Sequence, residues 1–308
     1  MRVAITGATG TIGSAVVRAL VERGDEVVTL TRDPERAAAR LPAGAEAVRW
    51  RAPKEEVAPA QALAGCEGVV HLLGESIAQR WTESARREIR DSRVLGTRNL
   101  VEGLRAAEPR PRVLVSQSAS GYYGARGDED VDEGAEPGGS DADDFLARVV
   151  VDWEGEARRA EELGARVVLT RTGVVMSAEG GALEKMLPPF RLGVGGPVAG
   201  GRQYVPWVDL EDVVGAILFC LDDERVSGPV NVSAPEPVTN KQLAKELGKV
   251  LRRPAVLPVP ALALRVLYGE MSSVVTEGVR MVPRRLLDLG YEFKRPDLTD
   301  SLRAATGR

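Results

Sequence analysis

Short runs of β-branched and aliphatic residues alternate with stretches of helical periodicity through the first half of the chain. Arg2–Thr6 ("RVAIT") reads as a strand, Thr11–Arg23 as an amphipathic helix and Glu26–Thr31 as a second strand, with another helix opening at Pro34. Residues 48–51 form a weak strand pattern and residues 68–73 a strong one. Thr82 in "WTESARREI" is a good N-cap for a long helix ending near Ala107. A strand at 112–118, an amphipathic helix at 141–157 and a strand at 166–171 complete the series. Strands alternating with helices predict parallel βαβ units: an α/β fold with a doubly wound parallel sheet, the Rossmann arrangement. After Thr172 the texture becomes rich in glycine and proline. Residues 1–172 therefore read as the nucleotide-binding domain, with 208–235 returning to it, and 173–308 as mainly a smaller, irregular substrate lobe. The acidic run at 126–144 reads as a surface loop.

The first strand runs straight into "GATGTIG". Gly7 allows a tight turn, Gly10 lets backbone amides approach a pyrophosphate and Gly13 lets the helix sit close to the sheet. Together with Thr9, Thr11 and Ile12 they form a candidate dinucleotide site, strong because it stands inside an evident βαβ unit. At the end of the second strand, "TLTRDPER" places Asp33 before Pro34, a ready N-cap. That leaves Arg32 to pair with a ribose 2′-phosphate, which favours NADP over NAD. Leu73, Gly74 and Glu75 end the fourth strand, where a nicotinamide ribose would lie, and Ser116 comes from the strand beside it. His71 reads as a core histidine with satisfied partners.

Composition narrows the function classes. A net charge of −4 argues against a nucleic-acid or acidic-membrane partner, and no apolar run reaches the ~18–20 residues that span a bilayer. A single histidine leaves neither a His-based metal site nor a Ser-His-Asp triad. Cys66 and Cys220 are isolated in apolar surroundings and read as buried free thiols. The N-terminus lacks a signal-peptide layout, which points to the cytoplasm. A monomer or a homodimer acting on a small-molecule substrate is the expected form.

The glycine spacing, "GTRNLVEGL", "VSQSASGYYG" and "GGRQYVPWVDLEDVV" together resemble the extended short-chain dehydrogenases/reductases over essentially the whole chain. "GESIAQRWTESARREIRDSR", "SASGYYG" and "GEMSSVVTEGVRMVPRRLLDLGYEF" are more specifically similar to an atypical epimerase-family subgroup, the SDR39U1/YfcH-type NAD(P)-binding proteins. The resemblance implies a serine that polarises the substrate carbonyl, a tyrosine that moves the proton and a lysine that tunes it. Ser118 stands at the serine position. The tyrosine and lysine positions fall on Leu146 and Val150, or on Phe145 and Val149 one register away, and no lysine occurs between Lys54 and Lys185. The acid–base pair is absent.

Replacements are few. Tyr123 is the candidate proton donor, with Tyr122 beside it towards the substrate. Arg93 stands where the wider family often has asparagine, and three roles are open to it: lowering a phenol's pKa, binding an anionic substrate, or pairing with a local carboxylate. Glu75 can act as acid or base if desolvated. Arg80, Lys185, Arg202, Tyr204 and Trp207 are candidate substrate contacts, the last two equally readable as core or pocket wall. Asp209 and Asp212 read as helix-start residues. Two functions fit: an NADP(H)-dependent reduction or epimerisation of a small polar carbonyl or sugar-type compound, and a non-catalytic NADP(H)-binding sensor or interaction protein.

Overall fold

The computed structural model describes residues 1–138 and 144–308. Its centre is a seven-stranded, all-parallel sheet. From edge to edge the strands are Gly228–Val232, Arg166–Thr172, Val113–Ala119, Gly68–His71, Arg2–Thr6, Glu26–Thr31 and Ala45–Arg49. This is the α/β doubly wound fold that the alternating pattern predicts. Chain order runs outward in one direction from the first strand to the third, then outward in the other from the fourth. The reversal lies between Arg2–Thr6 and Gly68–His71, and open sheets of this kind bind ligands at that point.

Helices cover both faces. Helices Thr11–Arg23 and Leu210–Asp222 pack on one side over Val16, Val17, Leu20, Val213 and Ile217. Helices Glu83–Ala106 and Phe145–Arg158 pack on the other over Leu100, Val101, Leu104 and Ala157. Thr82 caps the long helix by accepting from the Ala85 amide at 3.2 Å. The helix expected over 141–157 begins at Phe145 and is capped by Asp144; positions 139–143 of that expectation and of the acidic loop lie outside the described residues.

A second lobe assembles on the sheet's C-terminal edge. Helices Gly181–Arg191, Asn240–Leu251 and Leu298–Thr306 enclose Leu183, Phe190, Leu247 and Leu302. Two aspartates tie it down. Asp209 caps its helix through the Glu211 amide at 2.8 Å and accepts from Ser301 Oγ at 2.7 Å. Asp212 lies in the first turn of that helix as expected, but does not cap it: its carboxylate accepts the Lys294 and Arg295 amides of the C-terminal segment at 2.6 and 3.0 Å.

His71 is fully buried in its strand, with Nδ1 2.7 Å from Thr6 Oγ1 and Nε2 2.9 Å from Thr97 Oγ1. Both ring nitrogens are satisfied without a charge. Burial pushes the imidazole pKa down to about 3, so the folded protein holds it neutral where the unfolded chain would protonate it. The stability this represents is complete above the unfolded value of 6.5 and is lost as pH falls towards 3. Between pH 8 and pH 5 the wild type should lose about 2 kcal/mol more stability than His71→Gln, which cannot titrate. Urea unfolding at the two pH values measures this. An equal loss in both proteins would mean that the ring is not held neutral.

Candidate functional site

The crevice at the strand-order reversal is made mostly of backbone. Gly7 has φ +68°, and a Cβ there would meet the Leu72 carbonyl oxygen at 2.4 Å; a Cβ on Gly13 would meet the Gly7 oxygen at 2.2 Å. Both positions exclude any larger residue. The Leu72 amide donates to Thr6 Oγ1 at 3.1 Å, which fixes the turn 73–75 beside the glycine turn. Gly10 precedes helix Thr11–Arg23 without a side-chain cap. The first-turn amides therefore open towards the crevice, an arrangement suited to an anion. Thr9 and Gly10 are exposed, and Thr11 and Ile12 half-buried.

At the end of the second strand, Asp33 caps the next helix by accepting the Arg36 amide at 3.0 Å. Arg32 next to it is exposed and has no hydrogen-bond or ion-pair partner among the described residues. Its guanidinium is free for a ligand.

The catalytic candidates separate. The Ser118 hydroxyl is 1% exposed and donates to Glu154 Oε1 at 2.6 Å. Arg171 Nε and Nη2 grip the same carboxylate at 2.8 and 2.9 Å, and Arg171 Nη1 donates to the Tyr123 hydroxyl at 2.9 Å. Tyr123 donates in turn to Asn231 Oδ1 at 2.6 Å. Desolvation raises the phenol to about 12 against the opposing pull of Arg171. Burial works against the Arg171 charge, but hydrogen bonds and attraction from Glu154 outweigh it and its pKa rises. Ser118 and Tyr123 are thus members of a buried polar chain, their hydroxyls engaged with Glu154, Arg171 and Asn231. The Ser116 side chain is fully buried in its strand.

Arg93 behaves differently. Its Nη1 donates to the Glu75 and Ile89 carbonyls at 2.9 and 3.1 Å, its Cζ lies 5.3 Å from the centre of the Trp153 ring, and its guanidinium covers Gly74. No carboxylate pairs with it; Nε and Nη2 have no hydrogen-bond partner among the described residues, and neither has buried Trp153 Nε1. Burial pulls its pKa down to about 10, opposed by Glu75, so it stays charged at neutral pH. Glu75 itself is half-buried, its amide donating to Ser92 Oγ at 3.0 Å.

Leu146 and Val150 stand beside the loop after Ser118, as the family spacing places them: a Cβ on Gly121 would lie 3.6 Å from Leu146 Cβ and 4.0 Å from Val150 Cγ2. Tyr122 follows, half-buried, with the Arg171 guanidinium 3.4 Å from its ring centre. Phe145 packs edge-on to Trp81 at 5.3 Å.

Among the second-lobe candidates, Lys185 donates to the Ala78 carbonyl at 2.9 Å and so links helix Gly181–Arg191 to the loop that carries exposed Arg80. Gly180 lies directly on Thr11, where a Cβ would meet Oγ1 at 2.1 Å. Arg202 is exposed in a separate groove of about 260 Å³ with Asp128 and Glu277. Tyr204 is half-buried under Arg280, 5.4 Å from ring centre to Cζ. Trp207 is core, 1% exposed with Nε1 donating to the Glu236 carbonyl.

Residues 3–233 match the NAD dependent epimerase/dehydratase family and residues 259–305 a domain of unknown function, DUF1731. An epimerase family protein of Mycobacterium bovis is 39% identical over 99% of this chain and 98% of its own length. The human epimerase family protein SDR39U1 is 34% identical over 98% of this chain and 99% of its own. The crystal structure of human SDR39U1 (isoform 2) with NADPH superposes with a TM-score of 0.87, at 32% identity and covering 100% of both chains.

Glu154→Ala should cost roughly 3–5 kcal/mol, because it strands the Arg171 charge in the interior. Ser118→Ala should cost only about 1 kcal/mol, since the carboxylate keeps both arginine bonds. Urea unfolding of the two variants tests the ranking; similar losses would mean that the ion pair is not the centre of the chain.

Proposed function

The chain belongs to the NAD dependent epimerase/dehydratase family, alongside SDR39U1, and on that premise we propose that it binds NADP(H) and reduces a small polar carbonyl or sugar-type substrate without a tyrosine–lysine pair. One observation carries the cofactor assignment: Arg32 is unpartnered at the end of the second strand while its acidic neighbour Asp33 is committed to a helix cap. A free guanidinium in that place suits a 2′-phosphate, and a capped aspartate is poorly placed to hold ribose hydroxyls. The NADPH in the human relative's crystal structure supports the same reading. The glycine turn and the uncapped first turn of helix Thr11–Arg23 fit a pyrophosphate.

A bound nicotinamide supplies the hydride. Arg93 holds its charge over Gly74 with donors to spare, placed to stabilise the oxygen that turns negative as a carbonyl is reduced. Tyr122 is the phenol left to supply the proton, since Tyr123 is sealed and Gly121 beside Tyr122 rests on Leu146 and Val150. The group that gives the proton in reduction takes it back in oxidation, so the arrangement serves a hydride transfer in either direction.

Arg32→Asp should weaken NADPH binding by about 1–3 kcal/mol, on the order of 5- to 150-fold, with NADH little affected. Calorimetric titration with both coenzymes decides, and an unchanged NADPH/NADH ratio removes the assignment. Arg93→Ala should lower kcat/KM for NADPH oxidation on a panel of carbonyl compounds by about 10²–10³-fold. Tight coenzyme binding with no turnover across that panel would remove the enzymatic reading and leave the binding site standing.

A further inference from the structure

Two stretches of the second lobe, residues 185–208 and 247–269, contain no aspartate or glutamate, in a chain whose 45 acidic residues outnumber its 41 lysines and arginines. They lie side by side. Val198 and Val259 pair as a parallel bridge, the Ala199 amide donates to the Val259 carbonyl at 2.9 Å, and Arg253 Nε donates to the Arg191 carbonyl at 3.1 Å. The two acid-free segments therefore make one face.

Its outer side is both apolar and cationic. Leu192, Val256, Leu262, Val266 and Leu267 are between 64% and 79% exposed, and helix Ala261–Tyr268 has no buried residue. Single exposed aliphatic residues are ordinary; a cluster of this kind marks a contact surface. Arg191, Arg252, Arg253 and Arg265 stand exposed on the same segments, and none of the four side chains forms an ion pair among the described residues.

We propose that this face docks on an anionic lipid surface, its aliphatic side chains entering the boundary between headgroups and acyl chains and its arginines meeting the phosphates. Charge complementarity disfavours the simplest alternative, since a two-fold pairing of this face with a second copy would gather eight arginines and no carboxylate from these segments into one interface. A folded acidic partner would need a cavity for each projecting side chain, whereas a lipid boundary yields to them. The chain's overall charge of −4 does not oppose contact, because charges farther than about 8 Å are screened at physiological salt. Among the described residues no helix is long and apolar enough to cross a membrane, so attachment is in the plane of the interface.

Co-sedimentation of the full chain with vesicles tests this independently of coenzyme binding. Binding should be at least tenfold stronger to phosphatidylcholine mixed with phosphatidylglycerol than to phosphatidylcholine alone, and should weaken as salt rises. Arg252→Gln with Arg253→Gln should cost about fivefold per arginine. Leu262→Ser with Val266→Ser should cost tenfold or more, with unchanged urea midpoints showing that the fold is intact. Equal partitioning onto both lipid compositions would overturn the proposal. So would a dimer seen by sedimentation velocity that Leu262→Ser dissolves, which would assign the face to a second copy.

Discussion

The bidentate pair between Glu154 and Arg171 is the constraint around which the cleft is organised. A carboxylate and a guanidinium held at 2.8 and 2.9 Å in the interior must satisfy their remaining hydrogen-bonding capacity locally. Glu154 takes the Ser118 hydroxyl for this, and Arg171 takes Tyr123, which then draws in Asn231. Ser118, at the family's serine position, and Tyr123, the replacement donor suggested by the sequence, are the residues the ion pair engages. Once helix Phe145–Arg158 carries a buried glutamate facing that strand, serine and tyrosine become structural members of one polar chain.

The coenzyme end is untouched by this. The elements proposed to recognise it are main-chain amides, two close-packed glycines and one surface arginine, none of which draws on the ion pair. Such a turn is indifferent to the acid–base chemistry a few strands away, because the sheet fixes its geometry through the bonds from Leu72 to Thr6. A fold of this type can lose its proton-transfer residues and keep its coenzyme site. The likeness to relatives along nearly the full length is compatible with that division.

The sheet, the long helices and the glycine turn were legible because each rests on a local pattern: periodicity, a cap, a small residue at a tight turn. Arg32 and Asp33 were legible for the same reason, since the competition for a helix cap is settled within four residues. What did not show was direction. Spacing puts Ser118 and Tyr123 near the strand end, but whether a hydroxyl faces the cleft or the interior depends on partners at positions 154, 171 and 231. A signal did exist: Glu154 interrupts the apolar stripe of Val150, Trp153 and Ala157, and Arg171 sits within "RVVLTRT". Two opposite charges at buried positions call for one another. The burial of Trp207 and Ser116 was illegible for a related reason, as it is set by packing against elements far away in sequence.

Arg93 and Arg171 show how environment divides one residue type into two roles. Both are largely withdrawn from water. Arg171 has a bonded carboxylate, and its charge is more firmly held than in solution; Arg93 has carbonyls, a tryptophan face and only the unbonded attraction of Glu75, and its charge is held less firmly. An interior cation without a counter-ion costs stability, and folds keep such costs mainly where a ligand repays them. Its position over the backbone at Gly74 puts a charge with no bonded carboxylate beside the strand that flanks the reversal of strand order. In the function proposed above, the lone arginine would stabilise charge on an oxygen through its field, where a tyrosine–lysine pair would do so by moving a proton.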